Sequence, residues 1–397
     1  MSAPVHRIAL NCGGGYVPGL NAVVRGAVFA ASRLGWEVVG IRDGYDGLLV
    51  PERFPEGGLL RLDPRAAGRL DATGDVLGTG ARIDPFRTRT VDAENQVAES
   101  DRSDDLLSRL EDEGIGAVVS VVGGSAVTGS HALSVAFRLA RKGLRTVCIP
   151  KSIENDIAAT ALSFGFNSAL GHTTGILDRI RTAALDVGRI AVVEVPGRYA
   201  GWLALQAGMA VCADAVLIPE IPYDLDRVAL RLLENEASGR TAALVVAAEG
   251  ATPAAGAAAP DDRPSGTGTR AGLRGSLSPL SDPAFGEGTR VIERSGLVAE
   301  RVARELQRTT GRETLPLALG HLVRGGEPTA VDRQLGVGCG AAAIRALESG
   351  ESAVLVAFQP PDLAFVPLAD AINKVRTVPP ESEFVKIARA TGLSLGS

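Results

Sequence analysis

Residues 150–156, with the sequence PKSIEND, combine an ammonium group, a hydroxyl and two carboxylates directly after an apolar run. Glu154 or Asp156 can accept a proton from a substrate hydroxyl, and the Lys151 ammonium can stabilise anionic oxygens. The structural alternative is a solvated turn in which Asn155 or Asp156 caps the N-terminus of a helix. The position at the end of a predicted strand favours the catalytic interpretation.

Two glycine-rich turns also follow apolar runs and lead into helical patterns. They are CGGGYVPG at residues 12–19 and VVGGSAV at residues 121–127. Glycines let the backbone close on an anion, and a helix N-terminus adds positive potential. Each turn alone is a weak signal, because a tight strand-to-helix connection also needs glycine. Both turns are therefore candidates for phosphate binding, with a purely structural turn as the alternative.

A third turn, LGHLVRGG, places a histidine and an arginine three residues apart, at His321 and Arg324. The two side chains can point into one cleft and bind a phosphate. Two further polar residues lie at predicted strand ends: Arg198 within VEVPGRYAGWLAL and Glu249 after AALVVAA. Ligands collect at the carboxyl ends of strands in open α/β folds, so these residues are candidates for substrate contacts.

The composition restricts the class of protein. A hydrophobic content of 45% with 22% charged residues is typical of a soluble globular protein. The net charge of −5 argues against a nucleic-acid or membrane-binding surface, which needs an excess of basic residues. No signal-peptide pattern or membrane-length apolar run is present, so we expect a cytoplasmic protein. The cysteines form no CxxC pair and are predicted to be buried thiols in a reducing compartment: Cys12, Cys148, Cys212 and Cys339.

Short β-branched runs alternate with amphipathic helical stretches almost throughout the chain. The predicted strands are 7–11, 37–42, 117–122, 145–149, 190–195, 215–218, 242–247, 315–319 and 353–358. Apolar strands that alternate with helices predict parallel sheets covered on both faces, and nine strands predict two α/β lobes. Residues 251–290 are rich in Ala, Gly, Pro, Ser and Thr without a period, which predicts a flexible insertion; a functional lid is the alternative.

Taken together, these stretches resemble the phosphofructokinase family. The matching blocks, in the family's order, are GGGYVPGLNAVVRGAV, GWEVVGIRDGYDGLL, PKSIENDI, GFNSA, RIAVVEVPGRYAGWLAL, AEG, TGRET and LGHLVRGGEPTAVDRQLG. The resemblance implies an α/β fold of two doubly wound, Rossmann-like lobes with parallel-rich sheets and an inter-lobe cleft. The donor-side lobe would comprise residues 1–165 and about 324–375. The sugar-phosphate lobe would comprise residues 166–323, including the insertion 251–290, and about 376–397.

The resemblance also implies roles for individual residues on the substrate side. Catalytic roles are implied for Lys151, Glu154, Asp156 and Arg198, and substrate contacts for Ser152, Arg189, Glu249, His321 and Arg324. Arg189 would reach in from a neighbouring subunit, which implies a homodimer or homotetramer with sites at subunit interfaces. An arginine of the family's phosphate pocket is Leu315 here, and its loss removes a charge-assisted hydrogen bond of about 1.5–3 kcal/mol.

The catalytic run departs from the family pattern in one respect that matters for chemistry. The family's base is the first Asp of Thr-Ile-Asp-Asn-Asp, and Glu154 stands there in this chain, with Ser152 for Thr and Asp156 retained. Glutamate keeps the proton-accepting group but moves it by one methylene, which changes the hydroxyl it can reach.

The donor side departs further. Donor contacts are implied for Gly14, Gly15, Tyr45, Arg82, Arg87, Gly123, Gly124 and Ser125. Ser125 replaces the family's metal-binding aspartate, and a neutral hydroxyl is a poor replacement for a carboxylate on Mg²⁺. Lys151 matches pyrophosphate-using members and some ATP-using ones. ATP and pyrophosphate therefore both stay open as donors with Mg²⁺, and no residue is assigned as a metal ligand.

Three functions follow from this mixture, in descending order of preference. The first is a phosphofructokinase-like phosphotransferase acting on fructose 6-phosphate or a related sugar phosphate, with an altered donor and metal site. The second is a donor-independent enzyme that converts a sugar phosphate on the same scaffold. The third is a non-catalytic sugar-phosphate-binding paralogue.

Overall fold

The computed structural model describes residues 6–79, 84–91, 97–123, 132–254 and 296–397. The chain divides into two compact units. Unit 1 comprises Met1–Thr173 and His321–Thr377, and unit 2 comprises Thr174–Gly320 and Val378–Ser397. The sequence-based divisions lie after residues 165, 323 and 375, and the donor and sugar-phosphate roles of the two parts stay predictions. Of the predicted insertion, residues 255–290 lie outside the described part of the chain.

The described strands are β1 (Arg7–Gly13), β2 (Glu37–Ile41), β3 (Leu59–Arg61), β4 (Thr88–Val91), β5 (Val97–Ser100), β6 (Ala117–Gly123), β7 (Thr146–Lys151), β8 (Ile190–Val195), β9 (Ala215–Leu217), β10 (Ala243–Ala248), β11 (Thr314–Ala318), β12 (Val354–Gln359) and β13 (Asp362–Pro367). All nine predicted strands are confirmed. The sequence interpretation missed β3, β4, β5 and β13, which all pair antiparallel.

The described helices are α1 (Leu20–Arg33), α2 (Asp46–Leu49), α3 (Pro64–Gly68), α4 (Ser103–Asp112), α5 (Ala132–Arg141), α6 (Phe166–Val187), α7 (Trp202–Ala210), α8 (Leu225–Ala237), α9 (Leu297–Thr310), α10 (Ala330–Glu348), α11 (Leu368–Ala371) and α12 (Glu383–Ala390). Two 3₁₀ turns occupy Pro51–Arg53 and Gly320–Arg324. Within the described residues, none of the helices is long and apolar enough to cross a membrane.

A seven-stranded sheet organises unit 1, in the order β13-β12-β7-β6-β1-β2-β3. The strands from β12 to β2 are parallel, and β13 and β3 add antiparallel edges. β6 is buried along its whole length, as expected for a central strand of a parallel sheet with both faces covered, and this explains its continuous apolar run. The carboxyl ends of β1, β6 and β7 meet at one edge, where Gly123 pairs in register with Lys151.

Helix α1 packs closely against α10 in unit 1. A Cβ atom on Gly26 would lie 2.2 Å from the Val337 carbonyl oxygen, and one on Gly340 would lie 2.2 Å from the Val23 carbonyl oxygen. Only glycine therefore fits at these two positions. This contact fixes α1, whose first turn follows the glycine-rich turn at residues 13–19.

Unit 2 contains a four-stranded parallel sheet in the order β11-β8-β10-β9. Glu194 on β8 is 2% exposed, and its carboxylate accepts hydrogen bonds from the backbone N–H groups at the start of α9, those of Gly296, Val298 and Ala299, at 2.6–3.0 Å. A negative charge is favourable at a helix N-terminus, so this buried carboxylate is a satisfied cap for α9.

All four cysteines are free thiols. Cys12, Cys148 and Cys339 are buried, as predicted, and burial raises the pKa of Cys12 to about 11. The prediction is wrong for Cys212, which is exposed. Cys212 lies in a turn with a φ of 50°, just after the end of α7, so the apolar residues around it do not enclose it.

Candidate active site

Lys151, the last residue of β7, holds the first glycine-rich turn in place. Its side chain is 0% exposed, and its ammonium donates hydrogen bonds to the carbonyl oxygens of Gly14 and Gly15. A buried ammonium needs such acceptors, because an unpaired charge inside a protein is strongly unfavourable. Lys151 thereby joins the PKSIEND segment to the turn after β1.

The glycines of this edge pack too closely for side chains. Gly14 has a φ of 73°, and a Cβ atom on it would lie 2.8 Å from the Gly123 carbonyl oxygen. A Cβ atom on Gly123 would lie 3.0 Å from Cγ of Lys151. Three of the predicted donor-site glycines, Gly14, Gly15 and Gly123, thus lie together with Lys151. The predicted donor residues Arg82, Gly124 and Ser125 lie outside the described residues.

The segment after Lys151 forms a buried loop with an internal hydrogen-bond network. The Ser152 hydroxyl donates to Oδ1 of Asp156 at 2.6 Å and accepts from the Glu154 backbone N–H at 3.0 Å. Asn155 has a φ of 54°, and its Oδ1 accepts from the Ser163 backbone N–H at 2.9 Å. The helix-cap alternative is wrong here, because the next helix begins only at Phe166.

Asp156 is the most enclosed carboxylate of this loop, with 2% of its surface exposed. Burial raises the pKa of its carboxyl, and the hydrogen bond from Ser152 and the positive charge of Arg324 act in the opposite direction. Glu154 is half-buried. The loop therefore presents two carboxylates in unequal environments, an arrangement that suits one proton acceptor and one supporting group.

Arg324 lies at the same edge of the sheet. Its Nη1 donates to the Tyr16 carbonyl oxygen at 3.1 Å, and a Cβ atom on Gly15 would lie 3.3 Å from Nη1. His321 is exposed, three residues before it. His172 on α6 packs under the turn that follows Arg324, with Nε2 3.0 Å from the Glu327 carbonyl oxygen. The structure therefore places Arg324 beside the predicted donor turn.

The remaining predicted substrate residues lie in unit 2. Arg198 and Glu249 follow the adjacent parallel strands β8 and β10, and Nε of Arg198 is 3.9 Å from Oε1 of Glu249. Arg189 lies at the opposite end of β8, where Nη2 is 2.8 Å from Oε1 of Glu313. The structure brings Arg198 and Glu249 together and separates Arg189 from both by the length of the strand.

Two predicted donor residues have other contacts within unit 1. Tyr45 is 6% exposed and packs in a core cluster with Leu48 and Leu106, and burial raises its pKa to about 12. Arg87 donates to Oε1 of Glu99 at 2.8 Å, across the β4–β5 hairpin. The placement of Tyr45 favours packing over ligand contact, and the donor role of both residues stays a prediction.

The sequence interpretation missed Asn21, which clamps a loop onto the glycine turn. Asn21 is 5% exposed; its Nδ2 donates to the carbonyl oxygens of Asp71 and Thr73 at 3.1 and 3.3 Å, and its Oδ1 accepts from the Val76 backbone N–H at 3.1 Å. The Tyr16 hydroxyl accepts from the Gly74 backbone N–H at 3.2 Å. The one signal that the sequence offers for this clamp is an amide side chain in the first turn of a predicted apolar helix.

The family model described as Phosphofructokinase matches residues 7–347. The ATP-dependent 6-phosphofructokinase of Chloroflexus aggregans is 35% identical over 396 residues, which cover 100% of this chain and 99% of the relative. The pyrophosphate–fructose 6-phosphate 1-phosphotransferase of Amycolatopsis methanolica is 35% identical over 376 residues, which cover 94% of this chain and 97% of the relative.

Among solved structures, Pichia pastoris phosphofructokinase in the T-state matches with a TM-score of 0.69 at 23% identity. The match covers 99% of this chain but only 37% of that longer chain, and at this identity it supports the fold alone. The family model and the two relatives extend over nearly the whole sequence, including the residues of the candidate site. The chain therefore belongs to the phosphofructokinase family.

Proposed function

We propose that this chain is a phosphotransferase that moves a phosphoryl group from ATP or pyrophosphate to a sugar phosphate, fructose 6-phosphate or a close analogue. The observation that carries the proposal is the junction of Lys151 with the Gly14–Gly15 turn, next to the buried Ser152–Asp156 pair. A narrow glycine turn suits a phosphate, and carboxylates at the adjacent strand end suit an acceptor hydroxyl. The named activities of the relatives from Chloroflexus and Amycolatopsis support the same reaction class with either donor.

Glu154 takes the role of proton acceptor in this proposal. Its backbone is held by Ser152, so its side chain starts from a fixed point beside Asp156. Arg324, beside Gly15 and within electrostatic reach of Asp156, adds positive charge where the phosphoryl group would transfer. Positioning and charge stabilisation of this kind carry most of the catalysis in phosphoryl transfer.

One carboxylate of the described residues is suited to binding a divalent cation. Mg²⁺ typically uses one or two carboxylates together with phosphate oxygens and water, and when bound it neutralises charge on the donor phosphates. Among the described residues no group of three potential ligands occurs, but Asp75 has a buried carboxylate oxygen with no hydrogen-bond partner. Asp75 would therefore hold such an ion.

Arg198 and Glu249 would bind the sugar hydroxyls, and His321 would help to anchor the acceptor's phosphate. Arg189, at the far end of β8 from Arg198, would act in the site of a neighbouring subunit within a homodimer or homotetramer. The absence of an arginine at position 315 would weaken the hold on a hexose 6-phosphate. A reaction of this kind is consistent with a cytoplasmic enzyme.

The test is a turnover matrix on the purified full chain. Fructose 6-phosphate and related sugar phosphates are crossed with ATP, ADP and pyrophosphate under varied Mg²⁺, and products are identified by phosphorus NMR. We expect donor-dependent formation of a bisphosphate and a loss of about 10²–10⁴-fold in kcat for Glu154→Gln. No turnover with any donor would overturn the proposal. Conversion of the sugar phosphate without a donor would instead establish the donor-independent alternative.

A further inference from the structure

Asp75 has one carboxylate oxygen in use and one that is buried without a partner. Its Oδ1 accepts a hydrogen bond from the Leu77 backbone N–H at 2.9 Å. Its Oδ2 is shielded from solvent and has no hydrogen-bond partner among the described residues. Leaving a buried acceptor unsatisfied is unfavourable, and more so for a charged group. A turn that needed only the contact with Leu77 would be served equally by a neutral asparagine.

The backbone of the loop that carries Asp75 is anchored on both sides of this residue, and the hydrogen bond from Leu77 restrains the carboxylate itself. Asn21 accepts from Val76 and donates to two carbonyl oxygens of the loop, at 3.1–3.3 Å. Gly74, next to Asp75, donates to the Tyr16 hydroxyl. Residues on both sides of Asp75 are thus fastened to α1 and to the glycine turn.

The surroundings of Asp75 belong to the proposed donor site. Burial raises the pKa of the Asp75 carboxyl, while the backbone N–H groups of Leu77 and Gly78 and the charge of Lys151 lower it. The charge of Asp75 in turn raises the pKa of Cys12, the first residue of the glycine-rich turn. Asp75 is therefore close enough to interact electrostatically with Cys12 and Lys151, which lie at the strand ends beside Gly14 and Gly15. A carboxylate beside a phosphate site repels the phosphate unless a cation lies between them.

We propose that Asp75 supplies the carboxylate ligand for the divalent cation that accompanies the donor phosphates. The resemblance assigns this task to position 125, where this chain has serine. One protein carboxylate is sufficient, since Mg²⁺ completes its octahedron with phosphate oxygens and water. The inference rests on the proposed function for the location of the donor. The competing explanation is that Asp75 is only the counter-ion of the buried Lys151.

Metal binding separates the two explanations without any need for turnover. Mn²⁺ binding to the full chain in the presence of pyrophosphate, or of a non-hydrolysable ATP analogue, is measured by electron paramagnetic resonance. We expect Asp75→Asn to weaken Mn²⁺ binding at least about tenfold, since even the loss of a group that only supports a metal ligand typically costs about 10–100-fold in affinity. Asp71→Asn is the matched control, because Asp71 lies in the same loop with an exposed side chain, and it should leave the affinity unchanged. A folded Asp75→Asn variant with wild-type Mn²⁺ affinity overturns the inference.

The melting temperature without metal gives a second readout. Neutralising an unpartnered buried carboxylate should leave it unchanged or raise it, whereas removing a counter-ion from Lys151 should lower it. An Asp75→Asn variant with a lowered melting temperature and unchanged Mn²⁺ binding establishes the counter-ion role and overturns the metal role.

The wild-type protein provides a test that needs no variant. Fe²⁺ bound in place of Mg²⁺, with ascorbate and peroxide, cleaves the backbone near the metal. We expect cleavage within residues 71–77, and cleavage confined to other segments overturns the inference. Asp75-dependent Mn²⁺ binding in a protein without turnover supports the inference while the proposed function fails. Donor-dependent turnover together with Mn²⁺ binding that does not depend on Asp75 supports the proposed function and overturns the inference.

Discussion

The Ser152 hydroxyl donates a 2.6 Å hydrogen bond to Oδ1 of Asp156, and both side chains are at least nine-tenths buried. The same hydroxyl accepts the Glu154 backbone N–H at 3.0 Å. One small side chain thus fixes both carboxylate-bearing residues of the candidate active site. The position of Glu154 and the charge state of Asp156 consequently depend on the same group.

Replacement of Ser152 tests this dependence. Ser152→Ala leaves a buried carboxylate oxygen and a backbone N–H with one partner fewer, which should lower the free energy of unfolding by about 1–3 kcal/mol. The loss of the hydroxyl also raises the pKa of Asp156 further, because the Ser152 hydrogen bond opposes the effect of burial. Urea denaturation and the pH–rate profile measure the two effects.

Ser152→Thr is the control for this experiment, since threonine keeps the hydroxyl. It should retain most of the stability and the wild-type pH profile. An alanine variant as stable as the threonine variant would show that the hydroxyl does not support the loop.

The raised pKa of Asp156 predicts a pH-dependent stability. Because the folded state binds this proton more tightly than the unfolded chain, the group's stabilising contribution is fully present below its unfolded pKa near 3.8. The contribution is lost as the pH rises through the raised folded pKa. Asp156→Asn is neutral at every pH and keeps an acceptor for Ser152. We therefore expect the variant to gain stability relative to the wild type as the pH rises from the unfolded pKa near 3.8 through the raised folded pKa, measured by urea titrations. A stability difference that does not vary with pH would contradict this.

Lys151 is expected to be structural as well as functional. Lys151→Met removes the donor to the carbonyl oxygens of Gly14 and Gly15, which are half-buried, and places an apolar side chain beside them. Since each charge-assisted hydrogen bond contributes about 1.5–3 kcal/mol, the loss should be about 3 kcal/mol or more, with weakened donor binding. Thermal or urea unfolding measures the first effect and donor titration the second.

Lys386 is the matched control, because its 3.9 Å ion pair with Glu383 lies on an exposed face of α12. Lys386→Met should change the free energy of unfolding by no more than about 0.5 kcal/mol. Equal effects of the two substitutions would show that the buried ammonium contributes nothing specific to the turn.

The parallel core of the fold was predictable from sequence, and the antiparallel edges were not. Central strands such as β6 are buried on both faces, so they appear as continuous apolar runs between helical patterns. β13 lies at the edge of the sheet, is half-buried along most of its length and follows β12 after two residues. Such a strand has neither a continuous apolar run nor a helical pattern on each side. Its position is set by pairing with β12, which its own sequence does not indicate.

The candidate site divides in the same way. The PKSIEND loop is local in sequence, so its cluster of polar groups at a strand end was visible directly. The clamp by Asn21 joins residues about fifty positions apart, and Arg324 reaches Tyr16 across 308 positions. No spacing rule connects such residues, because only the packing of α1 and the meeting of strand ends brings them together.

A comparison of Gly14 with Gly35 separates the effect of backbone strain on stability from the effect of close packing. Gly14 and Gly35 have nearly equal φ angles, 73° and 71°, but a Cβ atom on Gly14 would lie 2.8 Å from the Gly123 carbonyl oxygen, whereas one on Gly35 would meet no atom within 4 Å. Gly35→Ala should therefore show only the cost of a left-handed alanine, about 1–2 kcal/mol. Gly14→Ala should lose more stability than this, because the turn must also move away from β6, and that movement should abolish donor-dependent turnover. Urea unfolding of both variants, with turnover assays at saturating donor, measures the difference. Equal losses of stability with turnover intact would mean that the turn yields freely and that its contact with Gly123 does not shape the donor site.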